Sequence, residues 1–425
     1  MAHLQTVEFV ASALFALALL HTFLASQVEH LAHRYPHHAG LFHLFGEVEV
    51  VFGLWAAILV LAISLIDSLQ TAIHYLESCN YNEPLLVFVL MVIAASRPLI
   101  EAAGAVNDRI ARALPLHPIT ARFLVVMSIM PLFGSFITEP AAMTVAALLL
   151  REQFLRHDLP LSFKYATIAT LFVNISIGGS LTPFAAPPVL MVASKWHWDI
   201  NFMITQIGWR AIIAVVFNAT VLTLIGHRWL KRLPQETQVT DQTVRGQAIP
   251  RSVTLIHFTF LTLAIVFHHH PVVFLGLFLF FLGYTNAYPM YQSRLMLREA
   301  LLVGFFLASL VVLGGMQAWW LQDLLTGLEP TVLFFSATVL TAITDNAAIT
   351  YLGSLVEGTD DAFHYALVTG ALAGGGLTVI ANAPNPAGYS LLKQCFPEHS
   401  IAAGKLLLAA LAPTIVAVAA FWLIP

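Results

Sequence analysis

Along the chain, long apolar runs are separated by short polar connections, and within each run the apolar residues are continuous rather than alternating. Windows of about twenty apolar residues, the length of a helix that crosses a bilayer, begin near Val7, Glu47, Pro84, Phe163 and Ile200. They begin again near Val253, Pro271, Glu299, Ala362 and Ser400. A membrane-barrel strand would alternate over about ten residues. The pattern therefore predicts an all-α polytopic membrane protein with about ten transmembrane helices. Two further apolar stretches, 119–152 and 331–356, are interrupted midway, by P-L-F-G-S-F-I-T-E-P-A-A (Pro131–Ala142) and T-A-I-T-D-N-A-A (Thr341–Ala348). Each flank holds about fifteen residues, or roughly 22 Å of helix, which is short for a crossing. Both stretches read as re-entrant hairpins.

Composition agrees. Of 425 residues, 59% are hydrophobic and 10% charged, against about 25% charged in a soluble domain. A soluble enzyme, a secreted disulfide scaffold and a disordered chain are excluded. Cys79 and Cys395 are too far apart in sequence to mark a disulfide framework. No basic region precedes the first apolar run, so it reads as a retained helix rather than a cleaved signal.

Charge placement sets the orientation. With the linker 227–252 in the cytoplasm, Arg228, Lys231, Arg232, Arg245 and Arg251 lie inside. So do Arg34, Arg109, Arg112, Arg122, Arg151, Arg156, Lys164, Arg294, Arg298, Lys393 and Lys405. The opposite loops, 67–83, 319–330 and 357–361, contain no Lys or Arg, and Lys195 is the exception. Lys and Arg collect on the cytoplasmic side, which places both termini outside.

The chain also repeats itself. F-I-T-E-P-A-A-M-T (Phe136–Thr144) aligns with A-I-T-D-N-A-A-I-T (Ala342–Thr350), and F-K-Y-A (Phe163–Ala166) with F-H-Y-A (Phe363–Ala366). G-G-S-L-T-P-F-A-A-P-P (Gly178–Pro188) aligns with G-G-G-L-T-V-I-A-N-A-P (Gly374–Pro384). The halves are 1–226 and 253–425, each with five spans, a hairpin and a broken helix (163–195 and 362–393). An odd number of spans inverts the second half relative to the first.

Glu139 and Asp345 fall at matching hairpin tips. An ionisable group at the bilayer centre costs about 2.5–3.5 kcal/mol on insertion scales, so such a pair marks a substrate path, a proton relay or a structural ion pair to Arg97 or Arg210. Duplication favours a shared site. The glycine runs at Gly178 and Gly374 read either as close helix packing or as unwound segments that free carbonyls for a cation and helix N-termini for an anion. Their pairing with the hairpins favours a site, with Gly179, Ser180, Thr182, Gly375, Thr378, Asn382 and Asn385 beside Thr138, Thr344 and Asn346. Arg97 and Glu101, four residues apart, read as a supporting ion pair on one helical face. Asn174 reads equally as a ligand or a packing amide. The H-x-x-x-H-H spacing of His33, His37 and His38, near His30, His43, Glu29, Glu47 and Glu49, matches one box of a membrane di-iron enzyme. Such a site needs several boxes on one side, and the next histidine run, His268–His270, falls on the other.

These paired hairpins and glycine runs resemble the ion transporter superfamily, and within it the bacterial group of Na+/H+ antiporters. The resemblance spans about Pro84 to Lys393. It implies an elevator-type transporter, usually dimeric, with a hairpin-bearing transport domain. Dicarboxylate carriers of the superfamily carry a Ser-Asn-Thr tip; here the tips are Thr-Glu-Pro and Thr-Asp-Asn, which favours a cation. The expected activity is Na+/H+ antiport rather than an enzymatic one, with Na+ held at Glu139 and Asp345 and with no cofactor beyond the transported Na+ and H+. The expected partners are those ions, the bilayer and a second copy of the chain, with no nucleic acid. Burial raises a carboxylate's proton affinity and a nearby cation lowers it, so one site can hold either ion in turn. The alternatives are a Na+- or H+-coupled anion symporter and, remotely, the di-iron enzyme.

Overall fold

The computed structural model describes residues 2–234 and 248–424. Arg245 in the linker, and the side chains of Glu29, His30, His33, Arg34, His43 and Glu49, lie outside the described residues. Among the described residues there are helices and no strands, as a chain surrounded by lipid requires, because helices satisfy their own backbone groups.

A helix begins within a few residues of every apolar window, from Ala2–Arg34 to Ala403–Leu423. Among the described residues, six helices are long and apolar enough to cross a membrane, or up to eight when two bent pairs, Ala39–Gly46 with Val50–Ile66 and Leu69–Ser78 with Asn82–Ala94, are each taken as one span. Arg251–Val266, Pro271–Ala287 and Pro330–Thr341 are shorter apolar helices.

One element departs from expectation. The first arm of the first interrupted stretch is a 20-residue helix, Pro118–Ile137, rather than about fifteen residues, and it is long enough to cross. Within the predicted interruption Pro131–Ala142, the helix runs on to Ile137 and breaks at Thr138. Pro131 has no N–H, which leaves the carbonyl of Met127 without its helical donor. Asn174 supplies one, its Nδ2 donating to Met127 O at 2.8 Å and also to Val215 O at 3.2 Å. The proline is accommodated because a neighbouring helix carries the missing bond.

The chain forms two compact units, each drawing on both halves of the sequence. The first comprises Met1–Phe88, Leu297–Leu328 and Tyr351–His364. In it Val48–Ile66 packs between Ala2–Arg34 and Leu297–Gly314, with Phe52 edge-on to both Phe15 and Phe306. Tyr75 and Tyr351 donate to the carbonyls of Val312 and Val311. The second comprises Val89–Met296, Glu329–Thr350 and Tyr365–Pro425. Its centre is Leu161–Gly178, in contact with Pro118–Ile137, Trp209–Leu230 and Ala403–Leu423. Asn218 ties three of these together, donating to Asn174 Oδ1 at 3.1 Å and to Pro413 O at 3.2 Å.

Candidate ion-binding site

The residues singled out by the repeat lie in the second unit. After Pro118–Ile137 the chain turns at Thr138, whose φ of 72° and ψ of 149° lie in a region that L-residues rarely adopt. It then enters the helix Glu139–Leu150, which packs back against the first arm. Gly134 faces Ala142 and the backbone of Glu139 across this fold. In the second repeat Pro330–Thr341 leads through Asp345 into Asn346–Ser354.

Hydroxyls tie each tip to the unwound segment that follows. Ser135 Oγ donates to Gly178 O at 2.7 Å and accepts from the backbone N–H of Leu181 at 2.9 Å, while Thr182 Oγ1 donates to Ser135 O at 2.5 Å. The second repeat uses the same chemistry: Thr338 Oγ1 donates to Gly370 O at 3.0 Å, and Thr378 Oγ1 to Ala342 O at 2.9 Å. Ser180 Oγ donates to Ile177 O and Thr344 Oγ1 to Leu340 O. Four hydroxyls expected as ligands thus spend their protons holding the backbone in its broken shape. Their lone pairs are the only part left for a cation.

Between the ties lies Glu139, fully buried. Its carboxyl rests on the Cα of Gly179: a Cβ there would fall on the carboxylate, 2.8 Å from Cδ. Oε2 accepts from Asn382 Nδ2 at 2.8 Å, and Oε1 has no partner. Nearby polar atoms are buried and equally unpartnered: Thr138 Oγ1, Asn382 Oδ1, Asn385 Oδ1 and both amide atoms of Asn346. The Asn346 backbone N–H donates to Ala381 O at 3.1 Å, placing this amide beside Asn382. Asn385 Nδ2 donates to Gly375 O and Thr378 O, both at 2.8 Å. A Cβ at Gly375 would strike Ser176 Oγ and approach Asn346 Nδ2 to 2.8 Å. A buried polar atom left unbonded costs about 1–3 kcal/mol, so these five residues on the hairpin tips and the unwound segments are the groups that a polar guest would satisfy.

Asp345 is placed differently. It is half-buried, and its Oδ1 accepts from the backbone N–H groups of Ala347 at 2.8 Å and Ala348 at 3.4 Å. Its carboxyl acts electrostatically on Glu139. Neither carboxylate position is explained by an ion pair with Arg210, which reaches Ile424 O and lies over the rings of Trp209 and Tyr365. Arg97 Nε meets Glu101 Oε1 at 2.7 Å, and Glu139 takes no bond from either arginine. Asn174 has both ends engaged in helix packing and offers no ligand.

Ser176 is the residue that sequence reasoning passed over. Its Oγ donates to Leu372 O at 2.8 Å, and Leu372 is its own counterpart in the repeat alignment. The two glycine-broken helices therefore meet at matching positions, and a polar residue opposite a leucine gives no repeated signal.

Among the described residues no group of three or more His, Cys, Asp or Glu is gathered as a metal cluster. His30, His33 and His43 have side chains outside that description.

A chain of apolar helices with glycine breaks around one buried, unpaired carboxylate belongs to the class of multi-pass α-helical membrane proteins with a polar site inside the bundle. The chain matches the family described as "Putative Na+/H+ antiporter" over residues 6–424, and it belongs to that family. Among curated proteins, none matches it.

Proposed function

We propose that the protein is a secondary active Na+/H+ antiporter, with Glu139 at the centre of its cation and proton site. The observation that carries this reading is the buried Glu139 carboxyl, with Oε2 bonded to Asn382 and Oε1 without a partner, on two repeats that also leave oxygens of Thr138, Asn382 and Asn385 unpartnered. Na+ is a hard cation that prefers carboxylate, amide and hydroxyl oxygens, and a proton satisfies the same carboxylate alone. The two loads exclude one another at one oxygen, and exchange follows. Pro140 at the start of the Glu139–Leu150 helix has no N–H, which removes one backbone donor that an anion would use there.

The same reading extends to architecture. The two interrupted stretches serve as re-entrant hairpins, ten spans alternate through a bacterial inner membrane with both termini outside, and a homodimer supports elevator-type movement of the site. Membership of the antiporter family and the apolar helices support this reading. The remaining expected ligands, Ser180, Thr182, Thr344 and Thr378, act through lone pairs or by shaping the backbone.

The test is reconstitution. Purified protein in proteoliposomes with a trapped pH dye should move protons when Na+ is added outside, and Glu139→Gln should remove the signal. Proton movement that ignores Na+, or uptake of an organic anion in its place, would refute the reading.

A further inference from the structure

The repeat presents two carboxylates as equals, and their surroundings make them unequal. We infer that Glu139 alone carries the exchanged proton, that Asp345 is a helix cap whose carboxylate keeps its charge through the cycle, and that exchange is therefore one Na+ for one H+. The inference rests on the antiport reading above.

The difference begins with one methylene. Asp is short enough for its oxygen to turn back onto the N–H groups of its own helix, which is the N-cap arrangement. Asp345 Oδ1 does this at Ala347 and Ala348. A proton on either carboxyl oxygen would weaken these bonds to the first turn of Asn346–Ser354, because a neutral carboxyl is a poorer acceptor than a carboxylate. In the first repeat no side chain caps the helix: Thr138 makes no cap bond, and Pro140 in the first turn has no N–H to satisfy. Glu139 is released from capping and reaches across to Asn382. Asn382 aligns with Ala186, and Asn346 with Pro140, so the first repeat has no amides to mirror these. Glu139 Oε1 can gain or lose a proton without breaking any bond now made.

The groups facing Glu139 are the Asn382 amide, the Gly179 backbone and the charge of Asp345. The negative charge of Asp345 favours a cation at Glu139, and the positive end of the Asn346–Ser354 helix steadies that charge. When Na+ arrives at Glu139 the proton leaves its Oε1 for the open side, and when the proton returns Na+ leaves. The site carries the same net charge in both loaded forms, so transport is electroneutral.

The experiment compares five proteins in the same vesicles: wild type, Glu139→Gln, Asp345→Asn, Asp345→Ala and Asp345→Ser. Asn caps a helix about as well as Asp, within a few tenths of a kcal/mol, so Asp345→Asn should stay folded and keep Na+-driven proton movement, slowed by the loss of the neighbouring charge. Glu139→Gln should be silent. Asp345→Ala should lose exchange and thermal stability together, and Asp345→Ser should restore both. A potential imposed with valinomycin and K+ should leave the wild-type rate unchanged. The inference is overturned if Asp345→Asn is folded yet as silent as Glu139→Gln, or if the imposed potential alters the rate. A wild type without Na+-dependent proton movement would instead remove the antiport reading, and this inference with it.

Discussion

Asn382 donates its side-chain N–H to the Glu139 carboxylate at 2.8 Å, across 243 residues of chain and between the two halves of the repeat. The contact joins the unwound segment of one half to the tip of the other. It also orients the carboxylate, presenting one bonded and one bare oxygen. A hydrogen bond to a charged group contributes about 1.5–3 kcal/mol, so Asn382→Leu should slow Na+-driven exchange by about ten- to a hundredfold. The measurement is dye response against Na+ concentration. An unchanged half-maximal concentration would show that Asn382 does not hold Glu139 in place.

Gly179 lies under the same carboxylate. Gly179→Ala would push Glu139 off its bond to Asn382, because the new Cβ overlaps Cγ as well as the carboxyl. Exchange should fall at least as far as in Asn382→Leu. Gly276→Ala is the control, since a Cβ there meets nothing within 4 Å. Equal rates for both alanine variants would mean that the close approach is unimportant.

The Asn174 amide serves the fold rather than the ion. Asn174→Ala strips the donor from Met127 O and the acceptor from Asn218. Leaving buried polar groups unmet costs about 1–3 kcal/mol. The detergent-solubilised variant should therefore melt several degrees lower, while any protein that survives reconstitution keeps its Na+ dependence. Loss of Na+ dependence at full thermal stability would return Asn174 to the site.

The two cysteines report orientation. Cys79 falls in the loop 67–83, proposed to face outside, and Cys395 near Lys164, proposed to face the cytoplasm, where Lys164 Nζ donates to Cys395 O at 3.1 Å. An impermeant maleimide should label Cys79 in right-side-out vesicles and Cys395 only after permeabilisation. Burial pushes the Cys395 thiol up, with Lys164 and Arg151 offsetting part of the rise. The thiolate is the reactive form, so its labelling should quicken by about tenfold per pH unit until the thiol is ionised. Labelling of both cysteines from the same side would reverse the proposed topology.

Much of this was legible in the chain. Each apolar window lies on a helix, because twenty apolar residues in lipid have few other ways to satisfy their backbone. Glu139 and Asp345 stood out because the repeat placed a scarce acid at both tips. Their inequality was not legible, since an alignment matches residue types and not the reach of a side chain to one partner or another. Ser176 was invisible for a related reason, its counterpart being Leu372. Pro118–Ile137 is longer than its expected flank of about fifteen residues because the amide that satisfies the carbonyl freed by Pro131 lies 43 positions further on, at Asn174.

Thr138 holds the tip in a backbone shape that costs about 1–3 kcal/mol, with its hydroxyl buried and unanswered. The tip is thus loaded like a spring against the carboxylate next to it. If filling the cavity lets Thr138 relax, the released energy is enough to bias two conformations by about five- to a hundredfold. Ion occupancy would then be converted into motion at the residue adjoining the one that binds it, with no relay through the bundle.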